Sequence, residues 1–308
     1  MWDVLSFGEA LVDFFPDKVG TLSSAGAFTP HVGGAPANVA IGLARQGVSV
    51  GFLGAIGLDA FGDFLEETLK AEGVDLRGLV RTADAQTGIC FVTRKPDGDR
   101  SFIGYGAPSA EASVPAESFD TALASGARVL HIGSNLLINP PGADATWRAI
   151  AIARQAGRII SCDPNLRVHR WTSADLMRDR TVPLLRSADL VKLAREELSV
   201  LVGNDSDESR HLLGLHPNAV LFITDGPDGS RWFHQGRTGR SPSPIVTAID
   251  TTGAGDAFVA GMLGILSRHP EPFSDSALQA AAEWGCQLGA EACTSLGATA
   301  GITSRHLP

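Results

Sequence analysis

Charged residues are scarce in this chain, and so are the marks of several large functional classes. Only 19% of its 308 residues are Asp, Glu, Lys or Arg, against about a quarter in an average domain. Acids outnumber bases, giving a net charge of −9 with no Lys/Arg-rich block. That argues against nucleic acid as a partner, and an anionic ligand would need a local pocket rather than a general field. The four cysteines, Cys90, Cys162, Cys286 and Cys293, form no CxxC pair and no zinc-spaced Cys/His cluster. They read as reduced, buried thiols of a cytosolic protein. No apolar run approaches membrane-spanning length, and "MWDVLSFGEALVDFFPD" carries acids where a signal peptide needs a basic start. A soluble, cytoplasmic protein is expected. Two phosphate-binding signatures are also missing. Nothing matches the GxxxxGK[ST] loop, and the late "GAGD" fails the GxGxxG spacing of a dinucleotide-binding turn.

Apolar residues make up 44% of the chain, aromatics are sparse and glycines number 35. This mix suits tightly turning α/β connections, in two ordinary domains or one large unit. "VLSFG" (4–8) reads as a buried strand and "PANVAIGLARQG" (36–47) as a helix stopped by glycine. Strand "VGFLGAIG" follows, then a helix with Phe61, Phe64, Leu65 and Leu69 on one face. The alternation recurs as strand "RVLHIG", helix 143–156, strand "RIISCD", helix 172–187, strand "DLVKL" and strand "AVLFITDG". Helices after Asp256 and from Ser274 close the chain. The expectation is a mainly parallel sheet covered by helices on both faces. Two stretches break the rhythm: residues 12–32 are extended and glycine-rich, and 87–106 read as strand, Pro-Asp-Gly turn, strand. They could pair as a small sheet covering a ligand or making a subunit contact; a plain surface hairpin fits 87–106 nearly as well.

Four stretches carry chemistry. In "GGAPANVA" (33–40), Gly33 and Gly34 permit close backbone approach and Asn38 offers an amide near a helix start. A polar ligand contact and a simple strand-to-helix turn explain it equally. "GEALVD" (8–13) delivers Asp13 just past the carboxyl end of a strand, where ligands of open α/β sheets sit. Its carboxylate could hold paired hydroxyls, or be a solvated turn acid. "CDPNLR" (162–167) gathers Asp163, Asn165 and Arg167 at another strand end. Arg167 could hold an anionic oxygen, while Asp163 could equally cap or ion-pair. In "DTTGAGDAF" (250–258), Gly253, Ala254 and Gly255 can turn successive N–H groups inward at a helix start that favours anions. Asp256 beside such an anion hole suits phosphoryl transfer, which needs donors on the moving group and a base for the attacking hydroxyl. The helix dipole would keep that base ionised. An ordinary N-cap aspartate is the competing reading, but it leaves the glycine-alanine-glycine run unexplained. "TDGPDG" (224–229) is a candidate nucleotide edge, and Lys192 could approach phosphate or be merely solvated.

In this order the motifs resemble those of the ribokinase-like superfamily of ATP-dependent sugar kinases, the phosphofructokinase-B type. "GGAPANVA" is similar to its N-terminal motif, and "DTTGAGDAFVAGML" to its highly specific C-terminal motif; "GLDAFG" (57–62) also fits. The likeness runs from "SFGEALVD" to "SLGA" (295–298). Together "GEALVDF", "APSAE" (107–111), "DPNLR…W" and "KLAREEL" (192–198) are most similar to bacterial fructokinases.

The resemblance implies one domain over 1–308, a three-layer α/β/α sandwich with a mainly parallel central sheet and a small β-sheet lid from 12–32 and 87–106. The implied reaction moves the γ-phosphoryl of MgATP to the 6-hydroxyl of D-fructose. Asp256 would be the base and Gly253 to Gly255 the anion hole, with Arg167 near the transferred phosphate or the sugar's far side. Asp13, Gly33, Gly34, Asn38, Tyr105 and Asn165 would serve the sugar. Lys192, Thr224, Gly226, Gly229 and Cys286 would serve the nucleotide, and Glu197 would reach Mg2+ through water. Asp250 and the Thr252 carbonyl resemble ligands of a K+ site. The chain departs from the pattern at Gly106, Ala194 and Cys286, where a lid arginine, an Asn or Ser, and an Asn are usual. A homodimer through the lid is expected. Kinases of 2-keto-3-deoxygluconate or of ribosides share the scaffold. A non-catalytic binding protein is the reading from another class, against which the intact base and anion hole speak.

Overall fold

A computed structural model describes residues 1–94, 100–105, 109–203, 211, 213–303 and 307. From the N-terminus run β1 (Trp2–Phe7), β2 (Leu11–Pro16), β3 (Phe28–Gly33), α1 (Ala35–Arg45), β4 (Val50–Gly57), α2 (Ala60–Ala71) and β5 (Asp75–Thr82). Next come β6 (Gly88–Arg94), β7 (Arg100–Tyr105), the short α3 (Ala110–Ser113), β8 (Ala127–Ile132), α4 (Pro140–Gln155), β9 (Ile159–Cys162) and α5 (Ala174–Arg186). The rest is β10 (Leu190–Ala194), α6 (Arg195–Val202), β11 (Val220–Thr224), β12 (Ser230–His234), β13 (Arg237–Ser241), α7 (Ala254–Leu266) and α8 (Asp275–Ala292).

Nine strands form the main sheet in the order β13-β12-β11-β10-β9-β8-β1-β4-β5. Pairing from β5 to β11 is parallel, and β12 and β13 are antiparallel additions. Neighbouring residues of one strand point to opposite faces, and here they belong to different cores. Val4, Phe52, Val129, Leu190 and Phe222 pack with α1, α2, α7 and α8. Leu5, Leu53, Leu130, Val191 and Leu221 pack under α3, α4, α5 and α6. Those strands therefore read as unbroken apolar runs, and the fold is a three-layer α/β/α sandwich. Helix α7 is buried almost throughout from Asp256 to Leu266, so its start must lie inside the molecule. The chain's last segment is tied to α1, because the Arg45 guanidinium donates to the Thr299 and Ile302 carbonyls and to Glu72.

The two stretches that break the rhythm do pair, in a separate four-stranded sheet ordered β3-β2-β6-β7. The Pro-Asp-Gly turn expected between β6 and β7, and Gly106, lie outside the described residues. Other expectations need correction. α4 begins at Pro140, three residues before the expected start. Phe61 is 38% exposed rather than on the buried face of α2; it meets the lid instead, edge-on to Phe14 with ring centroids 5.5 Å apart. β5 and the β12–β13 hairpin were not anticipated. The hairpin turns at Gln235 and Gly236, both at positive φ, the backbone usually signalled by Asn-Gly.

Candidate active site

The carboxyl ends of β1, β8, β9 and β10, the root of the lid and the start of α7 converge on one region. Gly253, not Asp256, is the N-cap of α7 and adopts φ +77°. A Cβ there would lie 2.3 Å from the Ala298 carbonyl oxygen, so both the torsion and the space demand glycine. The preceding loop is braced by Asp250, whose carboxylate accepts from Thr252 N–H at 2.9 Å and from Gly297 N–H at 2.8 Å. The first turn of a helix has free N–H groups. Of the three residues expected to turn theirs inward, Ala254 already donates to the Thr251 carbonyl at 3.3 Å, which leaves the hole chiefly to its neighbours.

Asp256 does not cap its own helix. Its carboxylate accepts from Asn38 Nδ2 at 2.8 Å and from Asn165 Nδ2 at 3.1 Å. Two side chains from distant elements thus aim one buried acid. Asn165 reaches it from a left-handed conformation, φ 43°, held by its N–H to Asp163 Oδ1. Burial raises the Asp256 pKa to about 6, with Asp163 adding to the shift and Asn38, Arg167 and Lys192 opposing it. Burial therefore outweighs the helix dipole, and the group is a stronger base than a surface aspartate yet still ionised at neutral pH.

Lys192 is not solvated at its strand end. It is buried and pairs with Asp163 at 3.0 Å, and a Cβ placed on Gly255 would come within 3.1 Å of its Nζ. Burial works against its charge, but Asp163, Glu197 and Asp256 prevail and raise its pKa, so it stays an ammonium beside the turn. Glu197 uses Oε1 to accept from Leu166 N–H and Oε2 from Ala194 N–H, tying α6 to the 163–167 loop.

Two cavities meet at this turn. One, about 470 Å³, is lined by Asp13, Gly34, Asn38, Arg167, Gly253 and Asp256. Gly33 makes room for Asp13, since a Cβ there would lie 2.3 Å from Asp13 Oδ2. Burial first, then the charges of Asp256, Asp250 and Glu9, push the Asp13 pKa to about 7 against the pull of Arg167. Arg167 lies 5.6 Å from the ring centroid of Phe102 on the lid, a cation–π contact. Tyr105 belongs to β7, but its side chain lies outside the described residues. Reading the sequence missed Glu9, Glu111, Asn135, His169 and Arg170, which also line this cavity. Glu9 and Glu111 stand inside the quoted motifs "GEALVD" and "APSAE"; Glu9 follows the end of β1, a signal that Glu111, inside α3, does not share.

The second cavity, about 580 Å³, brings together Lys192, Thr224, Gly226, Gly229, Ala254 and Cys286. Its far side is apolar, with Pro227, Pro244, Ile245 and Val246. Residues 243–248 were absent from the sequence reading, and they leave Ile245 fully exposed. Cys286 is held by Ser230 Oγ at 3.2 Å.

A family model described as pfkB family carbohydrate kinase matches residues 1–305. Fructokinase-1 of Oryza sativa subsp. japonica is 40% identical over 299 residues, spanning 96% of this chain and 93% of that protein. The structure of fructokinase with bound ATP from Xylella fastidiosa superposes with a TM-score of 0.87 at 32% identity, covering 98% of this chain and 96% of that one. A double mutant of fructokinase from Vibrio cholerae, bound to fructose, ADP and a potassium ion, gives a TM-score of 0.86 at 31% identity. That match covers 97% of this chain and 94% of the other.

Proposed function

The chain belongs to the pfkB family of carbohydrate kinases, and we propose that it transfers the γ-phosphoryl of ATP to the 6-hydroxyl of D-fructose. One observation carries the reading: two cavities share the wall from Thr251 to Asp256, with the Asp256 carboxylate on the side of the smaller one. The sugar occupies the smaller cavity, and its hydroxyls bond to Asp13 and Asn38. ATP occupies the larger, with its base against Pro244, Ile245 and Val246 and its phosphates toward Lys192 and the turn.

As the acceptor oxygen attacks phosphorus, its proton passes to Asp256 and the bond to the ADP oxygen breaks. Charge on the moving phosphoryl falls to the N–H groups around Gly253–Gly255 and to Lys192. Arg167 answers the negative charge of Asp13 and Asp256 from the lid side. Mg2+ would arrive on the nucleotide, because it keeps waters and takes one or two carboxylates with substrate phosphates. Glu197 fits an outer role through water, as each of its oxygens already accepts one backbone N–H. When bound, the ion neutralises phosphate charge. A monovalent cation would suit the Asp250–Thr252 loop, whose buried carboxylate draws 250–252 and Gly297 together.

The test is ADP release with MgATP across fructose, 2-keto-3-deoxygluconate, ribose, adenosine and aminoimidazole riboside. Saturable turnover on fructose, with little on the others, is expected. A clear preference for any other acceptor overturns the fructose reading while leaving the kinase intact.

A further inference from the structure

Two buried side-chain atoms without a hydrogen-bond partner among the described residues belong to the sugar-side cavity: Asn38 Oδ1 and Glu111 Oε2. Asn38 is explained by its place beside Asp256. Glu111 is not. It is 3% exposed, and its other oxygen accepts from Ser109 Oγ. A buried carboxylate oxygen with nothing to bond carries the full cost of lost hydration and calls for a group from outside the chain.

Glu111 has a definite place in the cavity. A Cβ on Gly88 would lie 3.7 Å from its Oε1, and Gly88 pairs with Leu11 at the root of the lid. Asp13 is the next residue on the same face of β2. The acids of this wall act on one another. Asp13 is affected by Asp256, Asp250, Glu9 and Arg167. Glu9 is affected by Glu111, Arg170 and Arg167, and Glu111 by Arg170. Asp256, Asp13, Glu9, Glu111 and Arg170 all line this one cavity, and the Gly88–Leu11 pairing sets Glu111 two residues along β2 from Asp13. Burial raises the pKa of both Glu9 and Glu111. His169 nearby is lowered, by burial and by both arginines, and brings little positive charge at neutral pH.

We propose that Glu111 sets acceptor specificity: it bonds a sugar hydroxyl at the end remote from the phosphorylated one, so the cavity takes a neutral polyol and turns away an acceptor carrying a carboxylate or phosphate there. This deepens the fructose reading and rests on it. A hydroxyl can donate to a carboxylate or accept from a carboxylic acid, so it answers Glu111 in either protonation state. An anion can only accept, so it can bond Glu111 only when that carboxyl is protonated, and against the ionised form it adds negative charge beside Glu9 and Glu111. Arg170 opposes both acids and Arg167 opposes Glu9, and Arg170 Nη1 is already committed to Asn135 Oδ1 at 2.6 Å.

The experiment compares wild type with Glu111→Gln and Glu111→Ala. Steady-state constants are measured for fructose, for 2-keto-3-deoxygluconate as the anionic acceptor, and for ATP. A hydrogen bond to a charged group is worth roughly a ten- to hundredfold change in affinity. Glu111→Ala is expected to raise KM for fructose by about that much, with kcat within about threefold and KM for ATP unchanged. Glu111→Gln, which keeps the shape but not the charge, is expected to shift relative kcat/KM toward the acid by about tenfold. Sugar-induced rise in melting temperature, weakened in both variants while the MgATP-induced rise persists, separates lost sugar binding from misfolding. Unchanged fructose KM and an unchanged ratio in Glu111→Gln overturn the assignment while fructokinase activity stands. Wild type preferring the acid overturns the fructose reading itself, and this assignment with it.

Discussion

On the proposed function, Asp256 and Asp13 carry the pH response of the site. Asp256 must be ionised to take a proton, so kcat/KM is expected to fall as pH drops through about 6, with Asp13 extending the fall from about 7. A pH–rate profile flat down to pH 5 would contradict both assignments. Asp256→Asn keeps the shape and loses the base; a drop in kcat of roughly 10²–10⁴-fold is expected, with sugar binding largely kept, as calorimetry would show. Asp13 also has a thermodynamic signature. Its pKa is about 7 folded against an ordinary 3.8, so the folded chain holds a proton that the unfolded chain has released. That stability is complete below about pH 4 and is lost as pH climbs through 7. At pH 8 the ionised, buried Asp13 costs on the order of a few kcal/mol at about 1.4 kcal/mol per pH unit. Asp13→Asn should therefore melt higher than wild type at pH 8, and the gap should close below pH 4. Asp256 was legible in the sequence because a glycine-alanine-glycine turn explains little without it. Glu9 and Glu111 were not, since a single acid carries no spacing, and theirs is a burial created by distant elements closing over them.

At the scale of elements, the parallel strands and their helices could be read because burial on both faces makes each strand a continuous apolar run. β5, "DLRGLVRT", sits at the sheet edge and mixes polar and apolar residues, so it gave no such run. The β12–β13 hairpin lacks the Asn-Gly signature, with Gln235 in its place. The start of α7 tests how much depends on one backbone angle. Gly253→Ala forces a Cβ into the Ala298 carbonyl at positive φ. A stability loss of about 1–3 kcal/mol and a fall in kcat larger than any change in sugar affinity are expected. Near-normal kcat in a folded variant would remove the turn from the mechanism.

At the scale of the molecule, the lid is a separate four-stranded sheet with two edges, β3 and β7, and exposed edges invite cover. We propose that two copies associate through it; light scattering at micromolar concentration should report a dimer, and a monomer would speak against it. No helix among the described residues is long and apolar enough to cross a membrane. The ties from residues 293–298 to the start of α7 make that turn depend on a distant part of the chain. Asp250 is fixed by Gly297 N–H, its own N–H and that of Ile249 donate to the Cys293 carbonyl, and Gly253 packs on Ala298. The turn from Asp250 to Gly253 is thus braced by residues up to 47 positions further along the chain. The shape of the turn therefore depends on residues 293–298, which supply neither a strand of the main sheet nor a side chain to either cavity beyond Cys293. A chain stopped after residue 293 should accordingly lack turnover even where its circular dichroism remains close to that of the full-length protein.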